Sequence, residues 1–432
     1  MHLTWFQIFR LGLVQMALGA IVVLTTSTLN RLMVVEFALP AVLPGALVGL
    51  HYGIQMTRPK WGFISDKGGN RTQWIIGGMA VLALGGLLAA YAVTLFAASY
   101  ALALGLSLLA YAAIGLGVGA SGTSLLALLA TTTAPHRRAA AATITWLMMI
   151  FGIALTAGLA GSFLDPYSPA RLMSVVAVVV TAALLLTIIA SARIERGLIV
   201  ATQEQPTPFM EGLREIWAEP RARNFTLFVF LSMNAYFMQE LILEPYAGLV
   251  FNFTPGQSTQ LSGAQNGGVF IGMLTVGIMA TGLKRGSLRL WVTAGCLGSA
   301  AVLGLIAING TGAAFAPLTP LVTLLGFFNG MFAVAAIGSM MALASDGRER
   351  REGTRMGLWG AAQAIAAGFG GLTGAAAVDI LRTTMPDGAA FGAVFTFEAA
   401  LFVAAALMAL RILDRTTARG APAPNPITVP GE

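Results

Sequence analysis

The chain has 432 residues, of which 57% are hydrophobic and 10% charged, and its formal net charge is +7. Ordinary soluble domains carry about a quarter charged residues, so this composition excludes a soluble globular protein and points to a chain whose solvent is lipid. One cysteine, Cys296, excludes a disulfide framework and a cysteine-based metal site.

A helix that crosses a bilayer needs about twenty mostly apolar residues. In chain order, the hydropathy pattern predicts spans near 11-35, 39-61, 73-97, 101-132, 139-163 and 172-192. After a polar stretch, six more follow near 225-250, 260-283, 288-309, 316-344, 354-378 and 389-411. No small-residue cleavage site follows the first apolar run, so Leu11 to Leu29 reads as a retained helix rather than a signal peptide. The expected organisation is an N-terminal six-helix half (1-192), a central loop (193-224), a C-terminal six-helix half (225-412) and a Pro- and Ala-rich disordered tail (413-432). Within the central loop, Thr207 can cap a short interfacial helix that starts at Pro208 and presents Phe209, Met210, Leu213, Ile216 and Trp217 on one face.

Of the 25 Lys and Arg, 22 fall on alternate loops or helix ends, and only Arg31, Arg171 and Arg382 fall on the other side. The positive-inside bias therefore places both termini and the central loop in the cytoplasm, in a multi-pass cytoplasmic (inner) membrane protein. The same distribution means that the net charge reports topology and not nucleic-acid binding. A weak internal repeat is also present. Arg138, Trp146 and Gly158-Leu159-Ala160-Gly161 recur 213 residues later as Arg351, Trp359 and Gly371-Leu372-Thr373-Gly374. Two related six-helix halves joined by a cytoplasmic loop are the all-α architecture of the major facilitator superfamily, whose ligands bind near the midplane between halves.

The loop after the second span carries Gly62, Asp66, Lys67, Gly69 and Arg71, with Arg58 just before it. This matches the superfamily's cytoplasmic gating motif, in which Asp66 can sit at a helix N-terminus or beside Arg71 and latch the halves; the other reading is a plain polar turn. Ionisable groups inside the apolar segments are few and each needs a partner or a cavity. Glu240 and Glu244 share a helix face, and Pro245 directly after the second carboxylate frees a backbone carbonyl. Asn30-Arg31 lies at a comparable depth in the first helix, so Arg31 can pair with Glu36, Glu240 or Glu244; alternatively these groups snorkel to the headgroups. His51 is the histidine inside an apolar segment. Its imidazole suits the magnesium of a chlorophyll-type ring as axial ligand, against the alternative of a buried core histidine. No Walker loop, zinc-type His pair or paired aspartates suggest an enzyme, a nucleotide or a free metal.

Three motifs carry a resemblance: Ser27-Thr28-Leu29-Asn30-Arg31-Leu32-Met33-Val34-Val35-Glu36, Arg58-Pro59, and Ile242-Leu243-Glu244-Pro245-Tyr246-Ala247-Gly248. The chain resembles the PucC/LhaA family of photosynthetic bacteria, with Leu32 and Ala247 where Val and Gly are usual, and is most similar to the branch encoded beside bacteriochlorophyll synthase. The resemblance implies a non-catalytic factor for bacteriochlorophyll delivery and light-harvesting complex assembly, with the pigment as cargo and the synthase and light-harvesting polypeptides as partners. It implies functional positions at Asn30, Arg31, Glu36, Arg58, Asp66, Glu240, Glu244 and Tyr246. Two other readings stand beside it: a proton-coupled secondary transporter of a small amphipathic substrate, using Glu240, Glu244 or Glu398, and a pigment-free scaffold for the synthase.

Overall fold

Lipid offers backbone N–H and C=O groups no partners, so apolar runs of this length close their hydrogen bonds internally as helices. The computed structural model of the chain describes residues 2–57, 70–134, 137–195, 217–283, 285–312, 315–345 and 352–413. Among these, twelve helices of fourteen residues or more are present. In the first half they are α1 (Trp5–Glu36), α2 (Val42–Gln55), α3 (Arg71–Thr94), α4 (Tyr100–Thr132), α5 (Arg138–Leu164) and α6 (Pro169–Ser191). In the second they are α7 (Pro220–Phe251), α8 (Pro255–Val276), α9 (Leu288–Gly310), α10 (Leu318–Ser345), α11 (Glu352–Arg382) and α12 (Asp387–Leu413). All except α2 are long and apolar enough, among the described residues, to cross a membrane. The α2 stretch is described only through Thr57; of the predicted interfacial helix over 207–217 only Trp217, helical and exposed, is among the described residues, and the tail from 414 lies outside them.

Helix ends follow local rules. Thr4 and Gln7 form a capping box at α1, Thr254 and Gln257 form one at α8 around Pro255, and Ser168 with Pro169 starts α6. α1 is not regular throughout. Two π-helical segments, Leu24–Thr28 and Leu32–Glu36, flank a short α-helical turn at Leu29–Arg31. Such wide turns rotate the side chains after them and recur at functional positions.

Two buried apolar cores form, one drawn mainly from α1–α6 and the other from α7–α12. Leu241 packs with the first core, and Val34 and Ala41 pack with the second, because these three cross the seam between the halves. Across that seam α5 packs on α8 and α2 on α11. Contact is close where α5 meets α8: a Cβ on Gly161 would lie 2.7 Å from the Gly256 carbonyl, and one on Gly263 would lie 2.8 Å from the Gly158 nitrogen. Between α2 and α11 the spacing is looser, with the nearest atom 3.1 Å from a Cβ on Gly45 and 3.7 Å from one on Gly49.

Leu3 donates to the Thr132 carbonyl at the end of α4, which marks the near face, where the N-terminus lies. There the Arg71 guanidinium binds the Ala127 carbonyl (2.9 Å) and the Thr131 hydroxyl, and the Arg71 backbone N–H donates to Glu195 (2.9 Å). Arg10 donates to the Ala192 carbonyl at 2.6 Å. The two guanidinium–carbonyl bonds, to Ala127 and Ala192, place cations near helix C-termini, and all these contacts stay within the first half and the residues that directly follow α6.

Candidate functional site: the far-face seam between the halves

Pro245 has no N–H, so the carbonyl four residues earlier, that of Leu241, has no helical partner. Asn30, in the short turn between the two π segments of α1, supplies one. Its Nδ2 donates to the Leu241 carbonyl at 2.5 Å, and the side chain is 1% exposed. The carbonyl that the sequence shows to be freed is therefore claimed by the opposite half of the molecule.

Arg31 follows on the same turn and is equally buried. Its Nη1 donates to Glu36 Oε1 at 2.5 Å, and its Nη2 donates to the Phe253 carbonyl, beyond the end of α7, at 2.6 Å. The π segment Leu32–Glu36 widens the turn and brings the carboxylate, five residues on, back beside the guanidinium. Arg31 passes over Gly248: a Cβ there would lie 3.4 Å from Arg31 Nε and 2.9 Å from Val35 Cγ2. Of the three carboxylates offered to Arg31, Glu36 on its own helix takes it. The partner across the seam is a backbone carbonyl. Tyr167, in the loop before α6, lies in the same field: burial and the Glu36 carboxylate push its phenol up, while the Arg31 charge opposes them.

Glu244 sits one turn before Gly248 and is 1% exposed. Its Oε1 accepts from Ser262 Oγ of α8 at 2.5 Å, and its Oε2 has no hydrogen-bond partner. Glu240 is half-buried one turn further back. Tyr246 points away from this group. Its hydroxyl donates to the Ile306 carbonyl of α9 at 2.7 Å, and its ring packs against Phe391 and Phe395 of α12, inside the second half. His51, on α2, is also apart. It is buried, its Nε2 lies 2.8 Å from the Gln55 amide nitrogen, and its ring stacks edge-on to Tyr52, which in turn meets Phe237 of α7. One ring nitrogen of His51 is thus already engaged. Glu398 is fully buried in α12 with neither oxygen hydrogen-bonded. Arg58, Gly62, Asp66, Lys67 and Gly69 lie outside the described residues, and Arg71 is the gating-motif residue whose contacts are described above.

Sequence reasoning missed two carboxylates that close the same face. Asp165, at the end of α5, accepts from the Thr254 hydroxyl (2.5 Å) and the Gly256 N–H (3.1 Å) at the start of α8. Asp379, near the end of α11, accepts from the Ala41 N–H (2.9 Å) and the Val42 N–H (2.7 Å) at the start of α2. Each aspartate caps a helix of the other half, where orphan N–H groups and the helix dipole favour an anion. They are 214 residues apart, which matches the spacing of the internal repeat to one residue; that echo was the available signal. With the buried Thr28–Thr259 hydroxyl pair (3.1 Å), Asn30 and Arg31, they make up a set of polar links across the far-face seam. Among the described residues no three His, Cys, Asp or Glu side chains group to hold a metal ion.

Comparison with known proteins places this architecture. The family model described as PUCC protein matches residues 28–417. The chain is 65% identical, over 100% of both sequences, to a protein of Rhodobacter capsulatus named bacteriochlorophyll synthase 44.5 kDa chain. It is 30% identical to Protein PucC of Cereibacter sphaeroides, covering 94% of this chain and 92% of that one. Among solved structures, the nucleoside transporter NupG superposes with a TM-score of 0.69 at 12% identity, covering 94% of this chain and 99% of that one. The twelve-helix fold is that of the major facilitator superfamily.

Proposed function

The chain belongs to the PUCC family, and on that premise we propose that it is a non-catalytic membrane factor that delivers bacteriochlorophyll and assists light-harvesting complex assembly beside the synthase. The observation that carries this reading is where the family-like motifs lie. Asn30, Arg31 and Glu36 from α1, with Pro245 from α7, are spent on one junction across the far-face seam, and Glu244 bonds Ser262 beside it within the second half. A sealed far face leaves the near face and the lipid as routes to the interior. A magnesium-centred ring with a long isoprenoid tail partitions into lipid, so a groove between helices suits it without an aqueous channel. The relative named as a synthase chain supports a place beside that enzyme. In this reading both termini are cytoplasmic, His51 is the residue to test as axial ligand, and the light-harvesting polypeptides receive the cargo.

A second reading rests on one observation. Glu244 Oε2 faces the seam region of a transporter fold without a hydrogen-bond partner, as a carboxylate that exchanges a proton would, so a proton-coupled transporter of a small amphipathic substrate is the competing function. The test is to purify the full chain in mild detergent from cells making bacteriochlorophyll and record its absorption spectrum, with His51→Ala and Glu244→Gln beside the wild type. A stoichiometric red-shifted band supports delivery, and its loss in one folded variant locates the site. A colourless protein that co-purifies with synthase or antenna polypeptides leaves a scaffold. Colourless protein without partners returns the transporter to first place.

A further inference from the structure

A cavity of about 750 Å³ opens sideways between α1, α5 and α6, away from the seam. Its floor is made of small side chains, Ala17, Ala20, Ala160 and Ala183, and its rim of larger ones such as Phe163 and Val178. A bilayer-facing helix surface is ordinarily apolar and needs no explanation. What distinguishes this one is its depth, which the alanines create, and its polar end, where Asp165 and Arg171 line the mouth at the far face. From Arg171 to Leu186 the groove follows α6 for about 22 Å at 1.5 Å per residue, against about 30 Å for a whole hydrocarbon core. It is therefore long enough for one extended chain of a membrane lipid and reaches past the bilayer centre.

The charge at the mouth selects the occupant. Among the described residues the far-face cations are Arg31, Arg171 and Arg382. Arg31 is paired with Glu36 and Arg382 with Asp387 at 2.8 Å. Arg171 uses one Nη1 hydrogen on the Asp165 backbone carbonyl at 2.5 Å and meets no carboxylate within ion-pair distance. Its exposed guanidinium leaves further donors in the planar fork that suits phosphate. The molecule also contains its own comparison. The corresponding groove of the second half, between α7, α11 and α12, holds about 430 Å³ and is lined by Asn234, Phe369 and Leu401 among others, with no cation in its lining.

We propose that the groove between α1, α5 and α6 is a binding site for a phospholipid with an anionic headgroup, its phosphate on Arg171 and one chain laid along the alanine floor toward Leu186. Because Arg171 also holds the residue whose carboxylate caps α8, an anion at this mouth sits directly on one of the links that close the far face. This inference does not depend on pigment delivery.

The test uses the full chain, purified and delipidated in mild detergent, with phosphatidylglycerol and phosphatidylcholine as probes and retained lipid counted by native mass spectrometry. Arg171→Gln removes the charge and Ala182→Phe fills the groove, while Ala393→Phe makes the same change in the groove of the second half; both alanines face lipid, so folding is preserved and checked by lipid-free melting temperature. The wild type and Ala393→Phe should keep one phosphatidylglycerol in preference to phosphatidylcholine; Arg171→Gln should keep about fivefold less, the factor expected for one basic residue at an anionic lipid, and Ala182→Phe should lose retention of both lipids because the groove is filled. Equal retention of the two lipids by the wild type would overturn the proposal, as would phosphatidylglycerol retention unchanged in Arg171→Gln and Ala182→Phe, or lost equally in Ala393→Phe.

Discussion

The bond from Asn30 to the Leu241 carbonyl makes a prediction in which the backbone, not only a side chain, is the reporter. Asn30→Ala removes the one donor that reaches a carbonyl already stripped of its helical partner by Pro245. A buried acceptor left unpaired costs about 1–3 kcal/mol, while interhelical hydrogen bonds inside membranes measure about 0.6 kcal/mol on average and about 1.7 at most. The expected destabilisation is therefore about 1–2 kcal/mol. Pro245→Ala returns an N–H to the Leu241 carbonyl, so in that background the carbonyl no longer depends on Asn30. The two substitutions should then be non-additive, with a coupling of about 1 kcal/mol in a double-mutant cycle. Reversible unfolding in detergent micelles, followed by helical circular dichroism against added SDS, reads all four proteins. Additive losses would show that Asn30 acts through some contact other than the freed carbonyl and would refute the reasoning.

Four further outcomes follow from the same geometry. Gly248→Val places new methyl groups against Val35, whose Cγ2 lies only 2.9 Å from a Cβ at that position, and against Arg31; it should destabilise by about 1–3 kcal/mol as an overpacked contact, with Gly248→Ala less affected, measured by the same SDS titration. Asp165→Asn and Asp379→Asn each weaken one cap, and together they should raise labelling of a cysteine placed at Ser258, fully buried in the first turn of α8, by a membrane-impermeant maleimide, in a Cys296→Ser background so that only the introduced thiol reports; no increase in the double variant would show that the caps do not hold this face closed. Tyr167 should remain a neutral phenol above the usual tyrosine value of about 10, since burial and Glu36 favour the protonated form. Removing the opposing cation with Arg31→Gln should raise its titration further and Glu36→Gln should lower it, followed by NMR of ring-labelled tyrosine with Tyr167→Phe to assign the signal; shifts of the opposite sign would place Tyr167 outside this field. Tyr246→Phe removes a hydroxyl bonded to the Ile306 carbonyl inside the second half, so it should lower stability by about 1 kcal/mol while leaving any pigment band or cross-seam labelling unchanged.

The all-α fold, the number of helices and their order were written in the sequence because they rest on local facts. A run of apolar residues long enough to cross lipid must satisfy its own backbone, and only a helix does so within one segment. Pro245 was legible for the same reason: the loss of a hydrogen bond four residues back is a property of the helix itself. The partners of these groups were not legible. Asn30 meets a carbonyl 211 residues away and Arg31 one 222 residues away, and Asp379 caps a helix that begins 338 residues earlier. Such pairs depend on how each helix is rotated about its axis and on which helices pack across the seam. For α1 that rotation is set by two π segments that hydropathy does not reveal. It turns Arg31 onto Glu36 instead of either glutamate of α7, while the packing of α7 against α12 turns Tyr246 inward, although it follows Glu244 by only two residues. Which residues lipid does not tolerate alone can be read along the chain; what answers each of them follows only from the packed helices, because charge and hydrogen-bond pairing are settled by distances of a few ångströms between segments that are remote along the chain.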